Sequence, residues 1–295
     1  MSSSGRIAGV VEKLILKLDV AVRRKSRLGE HPRLRKLLLG PYRWFLNLHG
    51  RGVMMNIAGC IPARMPPDFA WKLVEDYEKE SLAVMNRWMR SQQNPLVVDV
   101  GCALGFVTCA GLFSNPTSRV IAIDSDLQSV KATQRVCALA PDVGRRLSLV
   151  WGFISDVPTL RQDYHQAHDA TVQALRRPGI SGEPNATHYT CLDSEGDARL
   201  AIPRFALDDL LLGALAKPGP VLIKCDVEGA ELLVLKSAAR FLSEQRPALL
   251  LSVHPQFLPK YGATPEDVRA MLTGLGYRVE IVAVDHEEHW WCVQA

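Results

Sequence analysis

The sequence has no long apolar run, and this absence excludes a membrane-spanning helix from the predicted structure. A membrane span needs about 18 consecutive apolar residues, whereas charged residues interrupt even the most apolar early stretch, Val10 to Val22. No short apolar core leads into a small-residue cleavage site, so we predict no secretory signal. The 295 residues, 47% apolar and 22% charged, have the composition of an ordinary globular protein.

The sequence also lacks a CxxC pair. Its seven cysteines are odd in number and scattered along the chain. This pattern argues against both a disulfide framework and a zinc site, and it fits a reducing compartment. We therefore predict a cytoplasmic protein. The cysteines are Cys60, Cys102, Cys109, Cys137, Cys191, Cys225 and Cys292.

Acidic residues are scarce at the start of the chain. Residues 1–51 hold twelve Lys or Arg against three acidic residues, a net charge of +9, so the overall charge of +4 leaves −5 for residues 52–295. Apolar and basic residues alternate at helical spacing over residues 1–50, which predicts a basic helical N-terminal arm. Such a cluster attracts the phosphates of an anionic membrane surface or of nucleic acid. The arm therefore has one of these two as its predicted partner, and binding to a membrane would be peripheral. A solvated arm with charged faces is the alternative.

After the arm, the sequence divides into two regions. Residues 51–94 contain a short extended segment to Ile61 and a helix predicted from Phe69 to Arg90. Residues 95–295 alternate apolar runs with helix-length segments, which predicts βαβ units and a mostly parallel sheet with helices on both faces. The predicted parallel strands are Leu96–Val100, Val120–Ile123, Leu147–Trp151, Val221–Cys225 and Leu249–Val253, and the predicted helices cover residues 105–114, 127–139, 229–243 and 265–275.

Two segments depart from this alternation. Tyr277–Val284 and His289–Gln294 are strands joined by a short acidic turn, which predicts an antiparallel hairpin at the sheet edge. Residues 152–206 are too long for a plain crossover and contain a predicted helix near residues 159–176 and turn residues at Ser194–Asp197. Ligands of open α/β sheets bind beyond the carboxyl ends of the strands. We therefore predict that residues 152–206 form a cap on the substrate side.

The first parallel strand runs into two glycines, Gly101 and Gly105, and then into a helix. Such glycines let the backbone approach a ligand closely, and the new helix presents free N–H groups. A dinucleotide site requires GxGxxG to seat a pyrophosphate, whereas this chain has GxxxG with Asp99 two residues ahead of it. That arrangement favours a ligand without pyrophosphate, such as S-adenosylmethionine, over NAD(P). A glycine turn needed only for helix–strand packing is the alternative.

The next two strands also end in polar residues. Asp124 lies nineteen positions after Gly105, where a carboxylate accepts hydrogen bonds from both ribose hydroxyls. Asp126 is the fallback for this role, and capping of the next helix is the alternative role of Asp124. At the end of the third strand, Ser155 and Asp156 are candidates for reading the adenine amino group.

The fourth and fifth strands end in residues suited to acid–base chemistry. Asp226 follows the fourth strand, where a carboxylate can orient or deprotonate a substrate hydroxyl. Glu228 and Glu231 lie nearby at the start of a helix, where capping is their alternative role. His254 follows the fifth strand, and histidine is the side chain best suited to base catalysis near neutral pH. The sequence leaves open whether Asp226 or His254 is the base.

These motifs resemble the FkbM family of methyltransferases. The run Ala206–Leu211 resembles its "TLDDLL" segment, Ile223–Lys236 resembles "IKIDVEGAELEVLKGA", and Asp99–Thr108 resembles "DVGANIGxxT". The resemblance covers roughly residues 95–255 and departs from the pattern at Cys102-Ala103, at Ala206 and at Ser252, where the family commonly has Glu. It implies a class I, Rossmann-like doubly wound sheet, S-adenosylmethionine as cofactor, and Cys102 and Thr108 within the cofactor motif.

The resemblance further implies O-methylation of a hydroxyl on a sugar or natural product. The alternatives are a methyltransferase acting on nucleic acid or another polyanion recruited by the arm, and an NAD(P)-dependent oxidoreductase. The catalytic residues leave one more question open. A divalent metal could bridge Asp226 and Glu228, and the sequence does not decide whether it does.

Overall fold

A computed structural model describes residues 52–66, 76–182, 202–215 and 219–295. The predicted basic helical arm at residues 1–50 lies outside these residues and stays a prediction. The described strands are β1 Val53–Ile57, β2 Ile61–Met65, β3 Leu96–Val100, β4 Arg119–Asp124, β5 Leu147–Trp151, β6 Phe153–Ile154, β7 Arg204–Phe205, β8 Val221–Cys225, β9 Ala248–Val253, β10 Tyr277–Val284 and β11 Glu288–Gln294.

The described helices alternate with these strands. They are α1 Lys79–Ser91, α2 Phe106–Ser114, α3 Leu127–Val136, α4 Val143–Arg146, α5 Tyr164–Leu175, α6 Leu207–Leu212, α7 Glu231–Ser237, α8 Ala239–Gln245 and α9 Pro265–Gly274, with short 3₁₀ turns at Cys137–Leu139 and Leu258–Tyr261. None of these helices is long and apolar enough to cross a membrane.

Seven strands form the central sheet in the order β10-β11-β9-β8-β3-β4-β5. The five strands from β9 to β5 are parallel, and β11 is antiparallel to both of its neighbours. The predicted fold class, a doubly wound and mostly parallel sheet with a C-terminal antiparallel hairpin at its edge, is therefore confirmed. Because β11 runs against β9, the turn between β10 and β11 lies at the carboxyl edge of the parallel strands.

Both faces of the sheet are buried, as continuous apolar strands require. Val98 belongs to a core cluster that includes residues of helices α6 to α9. Its neighbour Val97 points to the opposite face, in a cluster with residues of α1, α2 and the β1–β2 hairpin. Side chains of successive strand residues point to opposite faces, so each strand contributes to both cores. The sheet is thereby held rigidly, and the residues at its carboxyl edge are held with it.

Three predicted elements differ from the structure. The extended segment ending at Ile61 is an antiparallel hairpin, since Ala58–Cys60 form a turn and β2 follows. The helix predicted from Phe69 to Arg90 has its predicted start outside the described residues; residues 76–78 are not helical, and α1 begins at Lys79, after Glu78 with a left-handed backbone of φ 40°. The helix predicted over 229–243 is two helices, α7 and α8, with the break at Ala238.

The described part of residues 152–206 covers the β5 edge of the sheet. In helix α5, His168 Nδ1 and Thr171 Oγ1 accept hydrogen bonds from the backbone N–H groups of Leu149 and Trp151, at 2.9 and 2.8 Å. The short β6–β7 pair lies just past the end of β5. The turn predicted at Ser194–Asp197 lies outside the described residues, so the substrate-side cap stays a prediction.

Candidate active site

A cavity of about 480 Å³ lies at the carboxyl edge of the sheet. Its walls come from the segments that follow β3, β4, β5 and β8, from the segment before α1 and from the β10–β11 turn. A volume of this size is typical of small-molecule sites. The position agrees with the rule that ligands of open α/β sheets bind beyond the carboxyl ends of strands.

One end of the cavity is formed by the glycine loop after β3. Gly101 has φ of +85°, and a Cβ atom there would lie 1.7 Å from the backbone carbonyl oxygen of Asp226. Only glycine allows the loop after β3 to approach the loop after β8 this closely. Ala103 has a left-handed backbone as well, and both residues line the cavity. The loop therefore presents backbone, rather than side chains, to a bound ligand.

Asp124 lies at the end of β4, beside the glycine loop, and lines the cavity. Its carboxylate accepts hydrogen bonds from the backbone N–H groups of Ala103 and Asp126, both at 2.8 Å. The residue that caps helix α3 is Asp126, whose carboxylate accepts from the backbone N–H of Gln128. Burial raises the pKa of Asp124 to about 7, although the two backbone hydrogen bonds lower it. Asp124 and Asp126 both line the cavity, and the ribose contact of Asp124, with Asp126 as the fallback, stays a prediction.

The wall next to Asp124 is apolar. Ile123, Phe153 and Ile154 line the cavity there, a surface suited to the flat ring of an adenine. Asp124, the glycine loop and these apolar residues together fit the ribose, methionine and adenine parts of S-adenosylmethionine.

The other predicted cofactor residues lie around the cavity without lining it. Thr108 Oγ1 donates a 2.5 Å hydrogen bond to Oδ2 of the buried Asp99, and Thr133 Oγ1 donates to Sγ of the buried Cys102 at 3.3 Å. These two contacts support the glycine loop from behind.

Gly105 also lies behind the loop. A Cβ atom there would lie 2.7 Å from the Cα of Thr133 in helix α3. Ser155 is buried and accepts a hydrogen bond from the backbone N–H of Val157, while Asp156 is exposed. Of the predicted cofactor residues, Gly101, Asp124 and the fallback Asp126 line the cavity.

The opposite end of the cavity centres on His254, which follows β9 and is fully buried. Its Nδ1 lies 2.8 Å from Oε1 of Glu231. Its Nε2 faces carboxylate oxygens of Glu287 at 2.5 Å, of Glu228 at 3.4 Å and of Asp226 at 3.7 Å. The structure therefore brings together all three predicted catalytic residues, Asp226, Glu228 and His254.

These carboxylates govern the charge of the His254 ring. Burial lowers the pKa of His254, but Glu231, Glu287 and Asp226 outweigh it and raise the pKa to about 11. At neutral pH the ring therefore carries a proton on both nitrogens unless another cation binds Nε2 in place of its proton.

Lys224 is a second buried cation at this end, on the otherwise apolar strand β8. Its Nζ donates to Oγ of Ser252 at 2.6 Å and lies 3.3 Å from carboxylate oxygens of both Asp226 and Glu78. Burial lowers the pKa of Lys224, but Asp226, Glu78 and Glu287 raise it above its usual value. Ser252 stands where the FkbM pattern has Glu, and here Glu78 brings a carboxylate to the lysine from the segment before α1.

Sequence reasoning missed three members of this cluster. A lysine in a buried apolar strand was a usable signal for Lys224, since a buried charge requires a partner. The acidic turn was a signal for Glu287, because a hairpin paired with β9 places its turn beside the end of β9. No local pattern marks Glu78, whose left-handed backbone and position depend on tertiary packing.

Comparison with known proteins identifies the family. The model of the FkbM methyltransferase domain matches residues 99–279, more than half of the chain. The chain belongs to the FkbM methyltransferase family. The predicted family and the predicted methyltransferase class are therefore confirmed, and S-adenosylmethionine is the cofactor. No curated protein matches the chain in sequence.

Solved structures with a similar fold include the following three methyltransferases. An FkbM methyltransferase from Methylobacillus flagellatus KT is 14% identical, with 81% of this chain and 56% of that chain covered and a TM-score of 0.43. A precorrin-6y C5,15-methyltransferase from Geobacter metallireducens GS-15 is 16% identical, with 76% and 91% covered and a TM-score of 0.42. A putative O-methyltransferase from Klebsiella pneumoniae is 14% identical, with 74% and 81% covered and a TM-score of 0.39.

We expect cofactor affinity in this FkbM protein to rise with pH through the pKa of Asp124. In the predicted contact, ribose hydroxyls donate to this carboxylate, and a charged acceptor forms hydrogen bonds about twice as strong as a neutral one. Calorimetry should show S-adenosylhomocysteine binding about tenfold more tightly at pH 8 than at pH 6, and Asp124→Asn should flatten this profile. If Asp126→Asn flattens it instead, Asp126 is the ribose acceptor. Thermal unfolding of both variants checks that they fold.

Proposed function

We propose that this protein transfers a methyl group from S-adenosylmethionine to a hydroxyl of a small, polyhydroxylated acceptor, such as a sugar or a sugar-bearing natural product. The observation that carries the proposal is the composition of the acceptor end. Carboxylates of Glu78, Asp226, Glu228, Asp285 and Glu287 line the cavity there. Carboxylates are acceptors without donors, and they match the O–H donors of a polyol.

The same carboxylates disfavour an anionic acceptor. A phosphate group brought among them meets like charges within a few ångströms, which is unfavourable in a partly buried site. Tyr77 and Tyr261 also line this part of the cavity, and they offer apolar faces for packing against a sugar ring. The acceptor end therefore supports a neutral hydroxylated molecule over nucleic acid, the alternative suggested by the basic arm.

Asp226 is the group best placed to receive the acceptor's proton. Its carboxylate follows β8, lines the cavity and has a side chain 22% exposed, whereas the ring of His254 is buried behind it. A ring protonated on both nitrogens cannot accept a proton, so His254 positions Asp226, Glu228 and Glu287. The cofactor supplies an electrophilic methyl group, and alignment of the acceptor hydroxyl with that group is the main contribution of the cavity.

A panel of acceptors tests the proposed function. The full chain and S-adenosylmethionine are incubated with neutral sugars, polyols, phenols, sugar phosphates and oligonucleotides, and mass spectrometry detects the added methyl group. We expect methylation among the neutral hydroxylated compounds and binding of S-adenosylhomocysteine but not of NAD. Methylation confined to the phosphorylated compounds would contradict the proposed acceptor class, and NAD binding without S-adenosylhomocysteine binding would contradict the enzyme class.

A further inference from the structure

Glu287 lies on the β10–β11 turn between two buried histidines. Its Oε2 is 2.5 Å from Nε2 of His254, and its Oε1 is 3.4 Å from Nε2 of His289. Both rings are at most 1% exposed. Neither Nε2 atom has an aligned hydrogen bond among the described residues. Buried polar atoms in folded proteins are satisfied by a partner, so this arrangement indicates a site for a further group.

Glu231 sets the orientation of the His254 ring. Its Oε1 accepts from the backbone N–H of Gly229 at 3.0 Å and contacts Nδ1 of His254 at 2.8 Å. A carboxylate held on Nδ1 keeps a proton there, so a cation that displaces the proton from Nε2 would bind the Nε2 lone pair. Metal-binding histidines are oriented in this way by a carboxylate behind the ring.

Negative charge exceeds positive charge in this cluster. Five carboxylates, two of them at most 5% exposed, surround one lysine, Lys224, and the ring of His254, so the cluster is negatively charged whether that ring is neutral or protonated. Uncompensated charge away from water is costly, and a divalent cation would reduce the imbalance. The five are Glu78, Asp226, Glu228, Glu231 and Glu287.

We propose that Asp226, His254 and Glu287 bind a divalent metal ion. One ligand atom from each residue lies within 4.8 Å of the other two, and Asp226 and Glu287 line the cavity. One imidazole with carboxylate oxygens suits a hard or borderline ion such as Mn²⁺ or Mg²⁺. Its role rests on the proposed function: an ion here would hold the acceptor's hydroxyl oxygen beside the methyl donor and favour its deprotonation.

Direct binding of Mn²⁺ to the full chain tests this site without any acceptor. Electron paramagnetic resonance and calorimetry should show Mn²⁺ bound at Asp226–His254–Glu287. Glu287→Gln removes a charged ligand at nearly constant size and should weaken binding at least tenfold. Glu231→Gln, which acts through His254, should weaken it by about 10- to 100-fold. Glu280→Gln, on the exposed side of β10, is the matched control and should leave it unchanged.

A nitrogen coupling in the Mn²⁺ spectrum identifies the imidazole ligand. It should be lost in His254→Gln and kept in His289→Gln. The reverse pattern would overturn the assignment and place the ion at Asp285, Glu287 and His289, a second set that shares Glu287. Thermal unfolding shows which variants remain folded, and the isosteric Glu287→Gln keeps the test decisive if the histidine variants do not fold.

Binding of S-adenosylhomocysteine, measured on the same sample, separates this proposal from the proposed function. A chain that binds S-adenosylhomocysteine but neither Mn²⁺ nor Mg²⁺ at millimolar concentration would overturn the metal site and leave His254 as a protonated cation. Mn²⁺ binding that is insensitive to Glu287→Gln would overturn it as well. Mn²⁺ binding without S-adenosylhomocysteine binding would support the metal site and contradict the methyltransferase function.

Discussion

Asp226→Asn should reduce turnover by about 10²–10⁴-fold, the usual contribution of a general acid–base group, and leave the affinity for S-adenosylhomocysteine nearly unchanged. The substitution keeps the size of the side chain and removes its ability to take a proton. Asp226 lies at the acceptor end of the cavity, whereas Asp124 and the apolar wall lie at the cofactor end. The loss should therefore appear in kcat, measured on an acceptor found in the panel, and not in cofactor binding.

Two variants make this result specific. Asp169→Asn changes an exposed carboxylate on helix α5 in the same way and should keep full activity. Glu228→Gln changes a carboxylate 3.4 Å from His254 and should cost less than Asp226→Asn if Asp226 takes the proton. A fully active Asp226→Asn enzyme would remove Asp226 from the chemistry.

Gly101→Ala should destabilise the fold by roughly 3–5 kcal/mol. The new Cβ would lie 1.7 Å from the carbonyl oxygen of Asp226, and the backbone has φ of +85°, where a side chain is strained. The loops after β3 and β8 must separate to relieve the clash, which moves the cofactor end away from Asp226. Denaturant unfolding measures the loss of stability, and calorimetry should show weaker S-adenosylhomocysteine binding in any folded fraction.

Gly144→Ala is the control for that substitution. A Cβ atom there meets nothing within 4 Å, and the residue lies inside helix α4. Alanine is favoured over glycine in a helix by about 0.5–1 kcal/mol, so this variant should be as stable as the wild type or slightly more so. Equal unfolding midpoints for Gly101→Ala and the wild type would contradict the close approach of the two loops.

The central sheet was predictable because each buried parallel strand has a recognisable local sequence pattern. Each of the five parallel strands is an apolar run bounded by polar or turn residues, and the predicted bounds agree with the structure to within one residue. The break between α7 and α8 at Ala238 has no such pattern, since neither proline nor glycine stands there. The start of α1 was missed for a similar reason, because nothing in Glu78 itself predicts a left-handed backbone.

Part of the site was predictable by the same logic. Parallel strands end at one edge, so residues that follow β8 and β9 had to be neighbours, and Asp226 and His254 do lie 3.7 Å apart between Oδ1 and Nε2. The common edge of parallel strands predicts which residues are neighbours, but it does not predict which of them face the cavity. Asp124 is the last residue of β4 and Ser155 follows β6, yet Asp124 lines the cavity and Ser155 does not.

Local periodicity and short motifs specify the fold class, the family and the strand ends at which the candidate site residues lie. The surroundings of His254, in contrast, depend on contacts between segments that are far apart in the sequence. Glu287 comes from a turn 33 residues further along the chain and Glu78 from a segment far upstream, and antiparallel pairing of β11 with β9 brings His289 opposite Ser252. Contacts between distant segments form when the chain packs, and no local pattern specifies them.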